Sequence, residues 1–149
     1  MLSGKSILTK SSLLSAAEEA EDINEEHLTV TFLKGSTSQE FVERYLPRVN
    51  QVGSNDYDAA VKMVIDGQAD VLVADMPVCV ISVLQYPDAE LTTLTQPLTV
   101  EPFGIAVPAS DHQLASLIDN YLETLKEMRA LENLKRKWLD EGSWLATLP

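Results

Sequence analysis

The chain has 149 residues, enough for one compact domain, and its hydrophobic content of 45% and charged content of 23% are ordinary for a globular protein. The net charge of −12 argues against nucleic-acid binding, which requires a basic face that displaces counterions. The single cysteine, Cys79, permits no internal disulfide, and two isolated histidines offer no metal-ligand spacing, so neither a metal nor a cofactor is implied.

A strand, an acidic helix and a second strand are predicted first. Residues 5–10 read as a short strand. Ser15 and Glu18 form a capping box, which predicts a short acidic helix that ends near Ile23. Residues 28–34 are β-branched and aromatic, as is typical of a strand.

The turn after this second strand is a candidate anion site. Gly35 permits a tight turn, and a helix start follows, capped either by Ser36 with Gln39 or by Thr37 with Glu40. Amide groups at a helix N-terminus suit a carboxylate. The alternative is a plain capped turn without a ligand.

The stretch from Gly67 to Pro77 predicts a helix end, a buried strand and an acid at the end of that strand. Gly67 suits the left-handed position just past a helix, and residues 71–74 are an apolar run bounded by aspartates. Pro77 favours the start of the next helix. Asp75 therefore lies at the carboxyl end of an interior strand, where open α/β sheets bind ligands. The alternative is that Asp75 only caps the helix.

Two successive βαβ units predict parallel strands. A strand at residues 49–52 and a helix from residues 54–58 to Gly67 separate the strands at 28–34 and 71–74. If the strand at 28–34 lies in the middle, the order is 2-1-3, and the chain leaves the first and third strands on opposite faces. The residues that follow those strands, 35–37 and Asp75, would then meet at one crevice.

The remainder predicts a buried helix over 77–86, strands over 90–94 and 98–107, and a last helix that opens with Ser110 and Gln113. Cys79 lies in the first of these segments and is expected to be buried and inert. The last helix carries an apolar stripe at 3–4 spacing. Its members are Leu114, Leu117, Ile118, Tyr121, Leu122, Leu125 and Met128, continued by Leu131, Leu134 and Trp138.

Four stretches in this order resemble the type II periplasmic solute-binding proteins, and more narrowly their polar amino-acid-binding branch, extracellular solute-binding protein family 3. They are LKGST at 33–37, YDAA to GQADVLVAD at 57–75, EPFGIAV at 101–107 and LKRKW at 134–138. The resemblance covers roughly residues 28–140.

The resemblance implies one lobe of a Venus-flytrap receptor that closes on an amino acid. In that family the glycine-hydroxyl turn binds the ligand α-carboxylate, which implicates Gly35, Ser36 and Thr37. The acid after the third strand binds the α-ammonium, which implicates Asp75, and Lys34 is placed to face the ligand side chain. Two departures are an extra residue in the turn, Ser38, and an arginine, Arg129, about where relatives often have glycine. Nearly all of the first lobe is absent.

The predicted fold is therefore α/β, an open and mostly parallel sheet with an antiparallel return strand and helices on both faces. The predicted parts are an interlobe strand remnant and acidic linker at 1–27, the ligand-binding lobe at 28–108, and C-terminal helices at 109–149 that pack on the lobe. The predicted function is binding, not catalysis: the receptor lobe of an ABC-transporter amino-acid-binding protein. The alternative is a sensor domain or an enzyme built on the same fold.

The partners expected from the resemblance are a polar small molecule, the first lobe of the same protein and, in the full-length context, an ABC permease. The full-length protein is expected to be periplasmic or extracellular, although this chain carries no signal peptide. A homodimer is also expected, because the strand at residues 5–10 would have lost its interlobe partner and the C-terminal stripe would be bare.

Overall fold

The computed structural model describes residues 2–102 and 104–140. They form two compact units, Leu2–Glu101 and a second that begins at Pro102. The strands are β1 (Leu2–Ser3), β2 (Lys5–Thr9), β3 (Thr29–Leu33), β4 (Asn50–Ser54), β5 (Val71–Asp75), β6 (Thr92–Thr93) and β7 (Glu101–Pro102). The helices of the first unit are α1 (Thr37–Tyr45), α2 (Tyr57–Ile65) and α3 (Met76–Gln85).

The first unit is built on a five-stranded sheet in the order β4-β3-β5-β2-β6. Strands β4 and β5 pair with β3 in parallel, and β2 pairs antiparallel with both β5 and β6. The predicted 2-1-3 order of the three parallel strands is thus confirmed, as is an antiparallel addition to the sheet. The predicted α/β fold is confirmed with it.

Helices cover both faces of this sheet because alternate residues of each strand point to opposite sides. In β5, Val71 and Val73 pack with Phe41 and Val42 of α1 in one cluster. Leu72 and Ala74 pack in a second cluster with α2 and α3, which contribute Ala60, Val61, Val64 and Cys79. The chain therefore leaves β3 and β5 on opposite faces, and the expected crevice lies between their carboxyl ends.

Strand β2 lies inside the sheet and is not an unpaired edge. Ile7 pairs with Val73 of β5, while Leu8 is also a partner of Thr93 in β6. Every residue of Lys5–Thr9 is buried. The expectation that this strand had lost its partner is wrong, because β5 pairs with one edge of β2 and β6 pairs with the other. This result removes one of the two arguments for a homodimer.

The acidic segment before β3 differs from its prediction. It forms two 3₁₀ helices, Leu14–Ala16 and Ala20–Ile23, rather than one helix started by Ser15. The capping box belongs to Glu19 and Asp22, whose side chains each bond the other residue's backbone. Two hydrogen bonds from the amides of Glu18 and Glu19 lower the pKa of Asp22.

Gly67 ends α2 as predicted, with a left-handed φ of +71°. Its amide donates to the carbonyl of Val64, and the amide of Gln68 donates to the carbonyl of Met63. This pair of bonds is the Schellman motif, which satisfies carbonyls that the helix leaves open. The turn aims the chain into β5 and so positions Asp75 at its far end.

The second unit consists of α4 (His112–Glu127), α5 (Ala130–Lys135) and a π-helical segment, Arg136–Asp140. Asp111, not Ser110, caps α4, since its Oδ1 accepts from the amide of Leu114 at 2.9 Å. Only Glu101–Pro102 of the strand expected over 98–107 forms, although Phe103 lies outside the described residues. None of the described helices combines the length and apolar character needed to cross a membrane.

Arg129 has a left-handed backbone with a φ of +56°. A side chain is strained in this conformation, and glycine is not. The conformation explains why glycine would be favoured at a position where this chain carries arginine.

Candidate functional site

Asp75 lies where the sequence placed it, at the end of β5 and at the N-cap position of α3, but its side chain makes no capping bond. Its Oδ1 instead accepts a hydrogen bond of 2.6 Å from Nζ of Lys5. The two residues are register partners in the antiparallel pair of β5 and β2. The helix-cap interpretation of Asp75 is therefore wrong, and its carboxylate serves an ion pair.

Lys5 is a buried cation with three partners. Only 2% of its side chain is exposed. Its Nζ donates to Oγ1 of Thr37 at 2.7 Å, to Oδ1 of Asp75 at 2.6 Å and to Oε2 of Glu101 at 3.3 Å. An ammonium has three N–H donors, so all of them are used.

The charges around Lys5 keep it protonated. Burial lowers its pKa, but the hydrogen bonds and charges of Asp75 and Glu101 raise it by more, so the net shift is upward from 10.5. Lys5 is therefore a fixed positive charge at any physiological pH.

Thr37 and Asp75 meet at this one nitrogen, as the predicted crevice requires. Because Oγ1 of Thr37 accepts from Lys5, its own hydroxyl proton points elsewhere and is free to donate. Thr37 is also the first residue of α1, so its amide lies in the turn where a helix leaves N–H groups without intrahelical partners. A carboxylate can accept from both groups.

Ser36, not Thr37, is the N-cap of α1, although the reciprocal bond that would complete a capping box with Gln39 does not form. Its Oγ accepts from the amides of Ser38 and Gln39 at 3.2 and 3.3 Å and donates to the carbonyl of Leu33 at 2.7 Å. The side chain of Gln39 returns to accept from the amide of Gly35 at 2.8 Å. The hydroxyl of Ser36 is thus committed to the turn, while Thr37 remains directed towards Lys5.

Gly35 has a φ of +72°, and no atom lies within 4 Å of the position that a Cβ would take. The backbone conformation, not crowding inside the lobe, is therefore the reason for glycine at this position. Lys34 precedes it with an exposed side chain, whose stem lies against Gly53 and whose Nζ donates to Oδ1 of Asn55 at 3.3 Å. Lys34 is not among the partners of Asp75.

Glu101 and Thr99 complete the cluster, and sequence reasoning did not find them. The amide of Lys5 donates to Oγ1 of Thr99 at 2.8 Å, and the Thr99 hydroxyl donates to Oε1 of Glu101 at 2.9 Å. Gly4 permits this approach, because a Cβ there would lie 1.7 Å from the carbonyl oxygen of Thr99. Thr99 and Glu101 both lie more than 90 positions from Lys5 in sequence, so no local pattern pointed to them.

Two further titratable groups lie near Asp75. Burial, and then the charge of Asp75, raise the pKa of the half-buried Tyr57. Burial raises the pKa of the Cys79 thiol from 9.0 to about 12, so the thiol is protonated and inert, as predicted.

Comparisons with known proteins agree with this lobe. No family model matches the chain. The ABC transporter glutamine-binding protein GlnH of Bacillus subtilis is 29% identical over 112 residues, which are 75% of this chain and 40% of that protein. The chain therefore spans less than half of this relative.

Solved structures show the same fold. The binding component of an ABC transporter from Wolinella succinogenes, in complex with lysine, superposes with a TM-score of 0.87 over 98% of this chain and 63% of that one, at 24% identity. The P235GK mutant of ArgBP from T. maritima superposes with a TM-score of 0.74 over 95% of this chain and 59% of that one, at 26% identity. The ancestral amino acid-binding protein AncCDT-1, a precursor of cyclohexadienyl dehydratase, superposes with a TM-score of 0.74 over 94% of this chain and 59% of that one, at 26% identity. The resemblance to amino-acid-binding solute-binding proteins is confirmed.

Proposed function

We propose that this chain, a relative of the amino-acid-binding periplasmic solute-binding proteins, is a ligand-binding lobe that holds the α-ammonium and the α-carboxylate of an amino acid. The observation that carries the proposal is the meeting of Thr37 and Asp75 on the Nζ of Lys5. The two ends of an α-amino acid are attached to one carbon, so the groups that bind them must lie this close together.

In this proposal Thr37 binds the carboxylate and Asp75 binds the ammonium. The Thr37 hydroxyl and amide both donate, and the N-terminal end of α1 favours a negative charge. Lys5 uses Oδ1 of Asp75, which leaves Oδ2 as the acceptor for the ligand. Gly35 and Ser36 hold the turn in shape, and the exposed Lys34 is available to the ligand side chain.

The proposal is of binding and not of catalysis, because Lys5 and Cys79 are each held in one protonation state. Lys5 is held protonated, and the Cys79 thiol is held neutral by burial. Neither group suits proton transfer near pH 7. AncCDT-1 is described as a precursor of a dehydratase, and that name alone does not change the chemistry of these side chains.

We further propose that the chain acts as half of a two-lobed, periplasmic or extracellular receptor that delivers its ligand to an ABC permease. The support is the share of the relatives that it covers, 40% of GlnH and about 60% of the solved structures. The homodimer predicted from the sequence keeps one argument in its favour, the C-terminal stripe through Leu131, Leu134 and Trp138, of which Leu134 and Trp138 are exposed. Light scattering after size-exclusion chromatography tests it: a monomer at high concentration contradicts a dimer.

The proposal is tested by titrating the ¹⁵N-labelled chain with L-glutamine, L-lysine and L-arginine. A receptor of micromolar affinity needs about −8 kcal/mol from both lobes, so one lobe that supplies half of it binds with a dissociation constant of about 1 mM. We expect saturable shifts of the amides at 35–37 and 75 with at least one of the three. Absence of such shifts up to 50 mM overturns the proposal, and micromolar affinity overturns its half-site form.

A further inference from the structure

We propose that Glu101 is a second ligand-binding carboxylate, and that the ligand ammonium binds between Asp75 and Glu101 on the solvent side of Lys5. This inference rests on the proposed function. It adds Glu101 to the site and states which ligand charge the site selects. Glu101 lies in the short strand β7, eight residues after the last strand of the five-stranded sheet, and was not a candidate from the sequence.

Glu101 is fixed at the site before any ligand arrives. Its Oε2 lies 3.3 Å from Nζ of Lys5, the same atom that Asp75 contacts. Its Oε1 accepts from the Thr99 hydroxyl at 2.9 Å, and Thr99 is itself bonded to the amide of Lys5. Contacts at both oxygens hold the carboxylate in one orientation, so a ligand does not have to order it.

Burial separates the inner side of the cluster from its outer side. Lys5 is 2% exposed, whereas the side chains of Asp75 and Glu101 are 36% and 44% exposed. The cation therefore lies beneath two carboxylates that still reach water. Each carboxylate oxygen accepts more than one hydrogen bond, while Lys5 has no donor left. A ligand thus meets acceptors, not the lysine.

The charges select the group that binds. Two carboxylates against one ammonium leave the cluster with one net negative charge. A second cation is attracted, and a carboxylate is repelled towards Thr37 and the N-terminus of α1. The site therefore takes a monocationic N–H donor, such as a primary ammonium, at this end.

Lys5 is a positioning residue in this arrangement. Through its single Nζ it holds Asp75 and Glu101 on either side of one point and partly neutralises them. Without it, two carboxylates would repel each other across the same gap.

The test uses the whole chain with ¹³C-labelled side-chain carboxyls, titrated with ethylammonium chloride at constant ionic strength. Tetramethylammonium is the matched control probe, because it carries the charge but has no N–H donor. We expect ethylammonium to shift the Asp75 and Glu101 carboxyls at concentrations at least tenfold below those at which tetramethylammonium does. Equal responses to the two cations overturn the inference, because they indicate screening alone.

Variants separate this inference from the proposed function. Asp75→Asn and Glu101→Gln should each weaken ethylammonium binding about tenfold, Glu101→Asp should recover part of the loss, and Glu21→Gln, an exposed acid elsewhere, should change nothing. Amide spectra that match the wild type show that each variant is folded. If Asp75→Asn weakens binding and Glu101→Gln does not, the inference fails and the proposed function stands. If neither variant weakens binding, both fail.

Discussion

Nζ of Lys5 lies 2.6 Å from Oδ1 of Asp75, and their Cα atoms are register partners in an antiparallel strand pair. The acid at the carboxyl end of β5 thus already has a cation from the neighbouring strand. The same ion pair therefore affects both the free energy of unfolding of the lobe and the charge at its candidate site. Unfolding and ligand-binding experiments measure these two effects separately.

Lys5→Met removes the cation beneath two carboxylates. The side chains of Asp75 and Glu101 are 36% and 44% exposed and stay hydrated. We therefore expect the free energy of unfolding to fall by about 2 kcal/mol, which is less than the loss for a fully buried pair. The double variant Lys5→Met/Glu101→Gln should recover part of it, since one repelling charge is gone. Urea unfolding measures both, and a double variant less stable than the single one contradicts the charge argument.

Gly4→Ala should destabilise the lobe because its Cβ would meet the carbonyl oxygen of Thr99 at 1.7 Å. Backbone must move, and overpacking of this kind costs about 1–3 kcal/mol. The matched control is Gly104→Ala, where no atom lies within 4 Å of the added carbon. Equal free energies of unfolding for the two variants would show that the contact between Gly4 and Thr99 is not close.

Gly35→Val tests the left-handed turn before α1. A β-branched residue at a φ of +72° costs about 1–2 kcal/mol and turns the Thr37 amide away from the site, so stability and amino-acid binding should both fall. Gly35→Asn is the control, because asparagine tolerates this conformation better. Thr37→Ala should weaken binding less than Gly35→Val, since its amide survives. Unchanged binding in the valine variant argues against an anion site.

The Cys79 thiol makes stability fall with rising pH. Its pKa is about 12 when folded and 9.0 ordinarily, so above pH 9 the unfolded chain releases a proton that the folded chain keeps. Between pH 9 and 10 the free energy of unfolding should then fall by about 1 kcal/mol, and the slope approaches about 1.4 kcal/mol per pH unit only above that window. The pKa values of Tyr57 and Lys5 are also raised, but from ordinary values of 10.0 and 10.5, so most of the loss between pH 9 and 10 comes from the thiol. In Cys79→Ala most of this fall should disappear; the same fall in both proteins contradicts the assignment.

The meeting of Thr37 and Asp75 was predictable from sequence because it depends on local rules. Apolar runs locate the strands, Gly35 and Gly67 locate the turns, and the handedness of βαβ units sets the strand order. These rules act over short stretches of chain. They place the carboxyl ends of neighbouring parallel strands together without knowledge of the side-chain contacts.

Lys5 and Glu101 were not predictable in the same way. Lysine is almost never fully buried unless it is paired, so a lysine at the start of a strand indicates a solvent-exposed end. Its partners lie 32, 70 and 96 residues away in sequence. The predicted capping box of Ser15 with Glu18 was wrong for a related reason. Several acidic residues in that segment can cap a helix, and the capping box that forms is that of Glu19 with Asp22.

The most direct test of the account is the affinity of the proposed two-lobed receptor for an amino acid, with Asp75 and with Asp75→Asn. A charge-assisted pair between a carboxylate and an ammonium contributes about 1.5–3 kcal/mol, so the dissociation constant should rise about 10- to 100-fold. Calorimetry measures it, and circular dichroism should show an unchanged fold. Unchanged affinity together with lost stability would contradict the account, because Asp75 would then serve only its ion pair with Lys5.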